Sequence, residues 1–436
     1  MSDSNAARRP PMGWNSWDCY GTTVTEAEVI ANAEFMAEHL LRFGWDTIVV
    51  DIDWADPTAR SHGYNADAPL HLDAYGRLIP DPERFPSSAD GAGFGPLAAR
   101  IHELGLRFGI HTMRGIPRRA VAQDLPILGT EARASEVADA SNVCEWNPDM
   151  LGLDHTNPAA QAYYDSTLAL YAEWGVDFIK ADDMLWPYQS ADVAAYRAAI
   201  RTSGRDIVLS LSPGRDLSLE RLDHLRENAD MWRICDDLWD QWSDVEANFA
   251  RFARWAPFAG ERGWPDGDML PLGRIGIRAE RGEPRDDRLT PDERVSLLTL
   301  WIIARSPLMI GGDLPSSDPA TIALFQNADV LEVLASSTRN REVFREGPLV
   351  LWAADGPDGS RYAAAFNLGS EASDVVLDAG NIGFSASGVA TELWTGREVP
   401  LEPIAVQSDA ARGVAPGSAA LRVALPSHGA ALLRQR

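Results

Sequence analysis

Two stretches of the chain end an apolar run in carboxylates. Residues 176–184 read VDFIKADDM. Val176, Phe178 and Ile179 suit a strand covered on both faces, and the run then turns polar with Lys180, Asp182 and Asp183. Lys180 and Asp182 are two apart, so on a strand they share a face, and the cation favours an ionised carboxylate. Residues 231–237, MWRICDD, close on Asp236 and Asp237. Like charges side by side favour one of that pair keeping its proton. One ionised and one protonated carboxyl is the combination that splits an acetal. The first attacks the anomeric carbon, or stabilises the cation forming there, and the second protonates the leaving oxygen. Spacing alone does not choose between Asp236 and Asp237. A structural ion pair is the plain alternative for Lys180 and Asp182.

Such a pair needs a frame to hold it. From Met12 to about Leu314 the pattern alternates strand and helix. Strands are expected at residues 13–17, 47–54, 106–113, 176–184, 206–212, 231–237, 263–270 and 307–311. Helices are expected at 25–41, 97–104, 158–174, 191–202, 217–228, 245–255 and 291–303. This repetition predicts a (β/α)8 TIM barrel. A doubly wound open sheet would carry a Gly-rich phosphate fingerprint after its first strand, where this chain has DCYGTTVTEAE. In a barrel the polar residues at strand C-termini form the active face. Those positions hold Trp17, Asp51, Asp53, His111, Lys180, Asp182, Ser212, Arg233, Asp237 and Asp268. After about Asn327 the texture changes to short alternating runs at 349–352, 362–367, 373–377, 390–394 and 419–425, divided by turns such as DGPDG, NLGS and TGR. That texture predicts an antiparallel β-sandwich. The expected division is a catalytic barrel over residues 1–328 and a C-terminal sandwich over 329–436.

Composition narrows the partners. The 436 residues are 45% hydrophobic and carry a net charge of −25, which argues against nucleic acid and anionic membrane surfaces. The acidic surface is compatible with a homo-oligomer. No stretch reads as a secretion signal or a membrane span. Three scattered cysteines, Cys19, Cys144 and Cys235, form no disulfide framework, so a reducing cytoplasm is expected. The eight histidines form no metal-binding spacing, and acetal cleavage by two carboxylates needs neither a metal nor an organic cofactor. Among the 15 tryptophans, Trp17 and Trp54 abut polar strand ends and are the better candidates for stacking on a sugar ring. Arg114, Arg118 and Arg119 follow the third strand and are expected to be paired at a helix start rather than to hold substrate.

Five segments, in order, resemble glycoside hydrolase family 27, the α-galactosidase family of clan D. PPMGWNSWDCYG at residues 10–21 is similar to its opening motif, and VDFIKADDM to its K-x-D fourth strand. WRICDD is similar to its W-R-x-x-x-D sixth strand, GWPDGDML to its W-x-D-x-D-M-L segment, and ARSPLMIGGDL to its eighth strand. ATELWTG and LPSHGAALL resemble the C-terminal sandwich. The resemblance covers nearly the whole chain. It implies a retaining double displacement, with Asp182 as nucleophile, Asp237 rather than Asp236 as acid/base, and Asp268 as a ligand of sugar hydroxyls.

Departures from the family pattern concern the sugar. Galactosidases of the family commonly carry paired Asp at the second strand end, gripping O4 and O6. Here Asp51 matches the first and Ile52 stands at the second. Ser212 with Pro213, and His111 with Met113, also depart from the galactosidase residues at their strand ends. The expectation is therefore a retaining exo-glycosidase of α-galactosidase type acting on an oligosaccharide or small glycoside. The substrate site would comprise Trp17, Asp51, His111, Lys180, Ser212, Arg233 and Asp268. A changed sugar (α-glucosidic or β-L-arabinopyranosidic), a transglycosylase and a non-catalytic carbohydrate-binding barrel are the other readings.

Overall fold

A computed structural model describes residues 7–61, 63–65, 67–260, 262–279, 281–403 and 419–436. Contacts divide the chain into two compact units. The first comprises residues 1–238, 260–287 and 308–322, and the second residues 239–259, 288–307 and 323–436.

The first unit is built on eight parallel strands: Met12–Asn15, Thr47–Val50, Arg107–Met113, Phe178–Asp182, Val208–Leu211, Met231–Arg233, Trp264–Asp266 and Leu308–Ile310. Numbered along the chain, their order across the sheet is 7-6-5-4-3-2-1-8. Leu270, just past the seventh strand, bridges Ile310 of the eighth in parallel, and its N–H donates to Met309 O at 2.7 Å, closing the barrel. The strands are buried almost throughout, the condition that calls for unbroken apolar runs. All eight strands expected from the sequence are present, but several are shorter. The second stops at Val50, because Asp51 begins a turn in which Asp53 has φ +64°. The sixth stops at Arg233, so Asp236 and Asp237 sit on the loop beyond it.

Local signals explain how the fourth strand is aimed. The preceding helix, Pro158–Glu173, starts where Asn157 accepts the Ala159 N–H at 3.0 Å and Pro158 presets the first turn. It stops at Gly175, which adopts φ +88° and turns the chain back into the strand. The long connection after the third strand holds a small antiparallel sheet of Ile116–Pro117, Met150–Leu153 and Ala138–Val143. The segment after the seventh strand is tied to residues 18 and 19. Gly276 and Arg278 donate backbone N–H bonds to Asp18 O and Cys19 O, at 2.8 and 2.9 Å.

In the second unit, the six-stranded antiparallel sheet runs Thr338–Glu346, Leu349–Asp355, Arg361–Asn367, Ala430–Gln435, Val389–Glu392 and Glu398–Pro400. A three-stranded sheet comprises Ser373–Asp378, Ala419–Leu425 and Glu402–Pro403. Leu351, Ala363, Val375, Leu421 and Leu433 lie in the shared core, as in a β-sandwich. Helices Trp242–Trp255 and Pro291–Ala304 belong to this unit too. Phe249 meets Phe366 edge-on at 4.9 Å, and Thr299 accepts from Trp394 Nε1 at 2.8 Å. The change of texture after Asn327 coincides with a helix, Ala328–Ser336.

Close approach of the first two strands depends on Gly13, where an added Cβ would lie 2.2 Å from Thr47 O. Gly13→Ala is expected to lower unfolding free energy by about 2–3 kcal/mol. Gly95→Ala, with nothing within 4 Å of its Cβ position, leaves it nearly unchanged. Denaturant unfolding of both variants checks this.

Candidate active site

The C-terminal ends of the strands open into a cavity of about 540 Å³. Asp182, Asp237, Asp51, Lys180 and Trp17 line it, together with Ile52, Asp183 and Asp236. The two carboxylates singled out by the sequence therefore share one space.

Asp182 ends the fourth strand. Its Oδ2 lies 3.1 Å from His111 Nε2 on the neighbouring third strand, and its Oδ1 accepts the Asp183 N–H at 2.9 Å. Burial by itself would raise this carboxyl. The His111 hydrogen bond, the charges of His111 and Lys180 and the Asp183 N–H overcome that effect and hold it well below the usual carboxylate range. Asp182 is thus an anion at neutral pH, and its direct partner is His111 rather than Lys180. The Lys180 ammonium is bonded to Asp51 Oδ2 at 2.8 Å, and Asn15 Nδ2 donates to the same oxygen at 2.7 Å. Ile52 N–H binds Asp51 Oδ1 at 2.9 Å. Against the cost of burial, Lys180 and then His111 lower the Asp51 pKa, and Asp51 and Asp182 together keep Lys180 charged. Removing one member of such a buried pair costs about 3–5 kcal/mol, so the pair also braces the floor of the site.

Asp237 lies beyond the sixth strand with its side chain 38% exposed, open to water. Arg233 donates to Asp237 Oδ1 at 2.9 Å and pairs with Asp268 Oδ1 at 2.7 Å. Asp268 Oδ2 accepts the Leu238 N–H at 2.7 Å. Both Asp268 oxygens are therefore engaged, and neither Arg233 nor Asp268 lines the cavity. They fix Asp237 from behind. Burial, outweighing Arg233, and then the charge of Asp237 push Asp268 up to about 7. Asp236 points to the rim, 4.0 Å from Arg215.

His111 is likewise behind the wall, 2% exposed, and it reaches the site through Asp182. Ser212 is buried, with its N–H on Ala181 O at 3.0 Å, and the following Pro213 lines the cavity in its place. Asp183 faces Arg114 at 2.7 Å as a structural pair. Arg118 donates to Pro148 O and Arg119 to Pro69 O and Leu70 O, so both act as loop ties. Trp54 is 2% exposed and lies outside the cavity lining. Its Nε1 donates to His111 O at 2.8 Å, which steadies the third strand.

Sequence reasoning missed Asn15, Tyr64, Trp146 and Arg215, all on loops or turned strand ends where spacing carries no periodic signal. It also missed Asp18, which is buried with neither carboxylate oxygen bonded. Burial, then the charges of Asp268 and Asp237, raise the Asp18 pKa well above the ordinary range, and its carboxyl packs beside Gly311.

A barrel with an ionised and a solvent-open carboxyl at one mouth holds the two groups that glycoside hydrolysis requires. Comparisons with known proteins agree. Residues 155–335 match the family model for α-galactosidase A, and residues 346–435 match that for the α-galactosidase C-terminal β-sandwich domain. The chain is 28% identical over 396 residues to an α-galactosidase of Coffea arabica, covering 88% of this chain and 86% of that one. It is 28% identical over 369 residues to an α-N-acetylgalactosaminidase of Gallus gallus, covering 79% and 75%. A solved family 27 β-L-arabinopyranosidase of Geobacillus stearothermophilus, in complex with arabinose, is 44% identical with a TM-score of 0.94, covering 100% and 98%. The chain belongs to glycoside hydrolase family 27 and is a glycoside hydrolase, with the retaining mechanism general to that family.

If His111 holds Asp182 ionised, His111→Phe raises the Asp182 pKa. The acidic limb of the kcat/KM–pH profile then moves to higher pH, and kcat/KM at neutral pH falls roughly 10- to 100-fold. Steady-state kinetics across pH check both.

Proposed function

We propose that this enzyme removes terminal β-L-arabinopyranosyl residues, with Asp182 as nucleophile and Asp237 as acid/base. One observation carries the sugar assignment: the cavity wall presents Asp51 followed by Ile52. A pair of carboxylates at this strand end would serve both O4 and O6 of galactose. Here one carboxylate remains and an apolar side chain fills the second place. β-L-Arabinopyranose has the ring configuration of α-D-galactose but no C6, so it presents one of those hydroxyls and not the other. An apolar wall then leaves no sugar hydroxyl unpaired. The relative solved with arabinose supports the same reading.

In the first step an Asp182 oxygen attacks the anomeric carbon while Asp237 gives its proton to the leaving oxygen. In the second, Asp237 takes a proton from water, the water oxygen attacks the same carbon, and the bond to Asp182 breaks. Arg233 orients Asp237, and Trp17 and Asp51 bound the sugar. The three buried free thiols support a reducing cytoplasm as the compartment.

A panel of nitrophenyl glycosides, with NMR of the released anomer, tests this. The expected result is fastest turnover of the β-L-arabinopyranoside with release of the β anomer. Faster turnover of α-D-galactoside overturns the sugar assignment. Ile52→Asp is expected to raise kcat/KM for α-D-galactoside relative to the arabinopyranoside by about tenfold, measured on the same pair.

A further inference from the structure

The mouth of the cavity carries two large exposed rings. Trp146 and Trp186 are 38% and 43% exposed, two of only four large hydrophobic residues so exposed among the described residues. Both line the cavity. Trp146 comes from the loop after strand Ala138–Val143 and Trp186 from the loop after the fourth barrel strand. Neither ring is needed to fill a core, and exposed aromatic rings grouped at a cavity mouth mark a ligand-binding surface.

The rings are held in place. Trp17 stacks on Tyr64 at 6.0 Å with 13° between the planes, and Tyr64 meets Trp146 at 5.3 Å, so an aromatic series runs from the sugar site to the rim. Arg215 lies over Trp186 at 5.3 Å and reaches Asp236 at 4.0 Å. That contact ties Trp186 to the residue next to Asp237. Asp237 protonates the glycosidic oxygen, and therefore marks where the substrate passes from cleaved sugar to leaving group. What lies beyond that oxygen meets the side of the mouth formed by Asp236, Arg215 and Trp186.

We propose that Trp186 and Trp146 form a leaving-group subsite for a ring: a second sugar or an aromatic aglycone with a flat face to stack on indole. This rests on the catalytic roles proposed above but not on the identity of the cleaved sugar. A ring leaving group gains stacking contact that a small one cannot, so the subsite shows in the ratio of kcat/KM values between leaving groups.

The test uses whichever glycosyl donor the wild-type enzyme turns over best. kcat/KM is measured for its nitrophenyl glycoside, for a disaccharide ending in the same sugar, and for the glycosyl fluoride, which carries no ring. For Trp186→Ala and Trp146→Ala, the nitrophenyl-to-fluoride and disaccharide-to-fluoride ratios are expected to fall about tenfold, whereas Trp186→Phe keeps most of the preference. A fall for the nitrophenyl glycoside alone identifies an aromatic aglycone, and a fall for the disaccharide alone a second sugar. Unchanged ratios in both alanine variants overturn the subsite. A wild-type preference for another donor sugar overturns the arabinopyranosidase reading and leaves this test intact.

Discussion

The site depends on keeping a buried carboxylate ionised. Burial favours the neutral acid at Asp182, and a neutral acid is a poor nucleophile. The fold overcomes this with a hydrogen bond from the adjacent strand, His111, and a nearby ammonium, Lys180. Lys180 is in turn fixed by Asp51, so three neighbouring strand ends share one charge network. The barrel is what makes this possible. Parallel pairing sets His111 opposite Lys180 and Met113 opposite Asp182, and no single strand could supply the same donors.

The second carboxylate is managed differently. Asp237 stands on a loop, partly open to solvent, and its orientation comes from Arg233, which is anchored to Asp268 behind the cavity wall. Asp182, the proposed nucleophile, thus sits on a strand within a buried charge network. Asp237, the proposed acid/base, sits where protons and water can come and go.

The barrel was legible because eight apolar runs alternate with amphipathic stretches, a signal tertiary context rarely erases. Strand ends were less legible. Asp51, Asp53, Asp236 and Asp237 lie beyond the ends of their strands, where the period of two no longer applies. Asp182, Asp237, Asp51, Lys180 and Trp17 were found as cavity residues because each closes or follows an apolar strand. His111 and Arg233 were found, but they bond Asp182 and Asp237 from outside the cavity lining, and Asp268 bonds Arg233. Trp54 looked like a stacking ring and is a brace, because a strand-end position does not reveal which way an indole turns. Tyr64 and Trp146 escaped notice, since loops bring them together from distant parts of the sequence.

The central claim is that Asp182 forms the bond to the anomeric carbon, and removing it while supplying a substitute nucleophile tests this most directly. Asp182→Ala is expected to lose roughly four to six orders of magnitude in kcat on a nitrophenyl glycoside. Azide should restore part of the turnover, and NMR should show a glycosyl azide of inverted anomeric configuration. Near-normal activity in the variant, or a rescued azide product of retained configuration, would contradict the account.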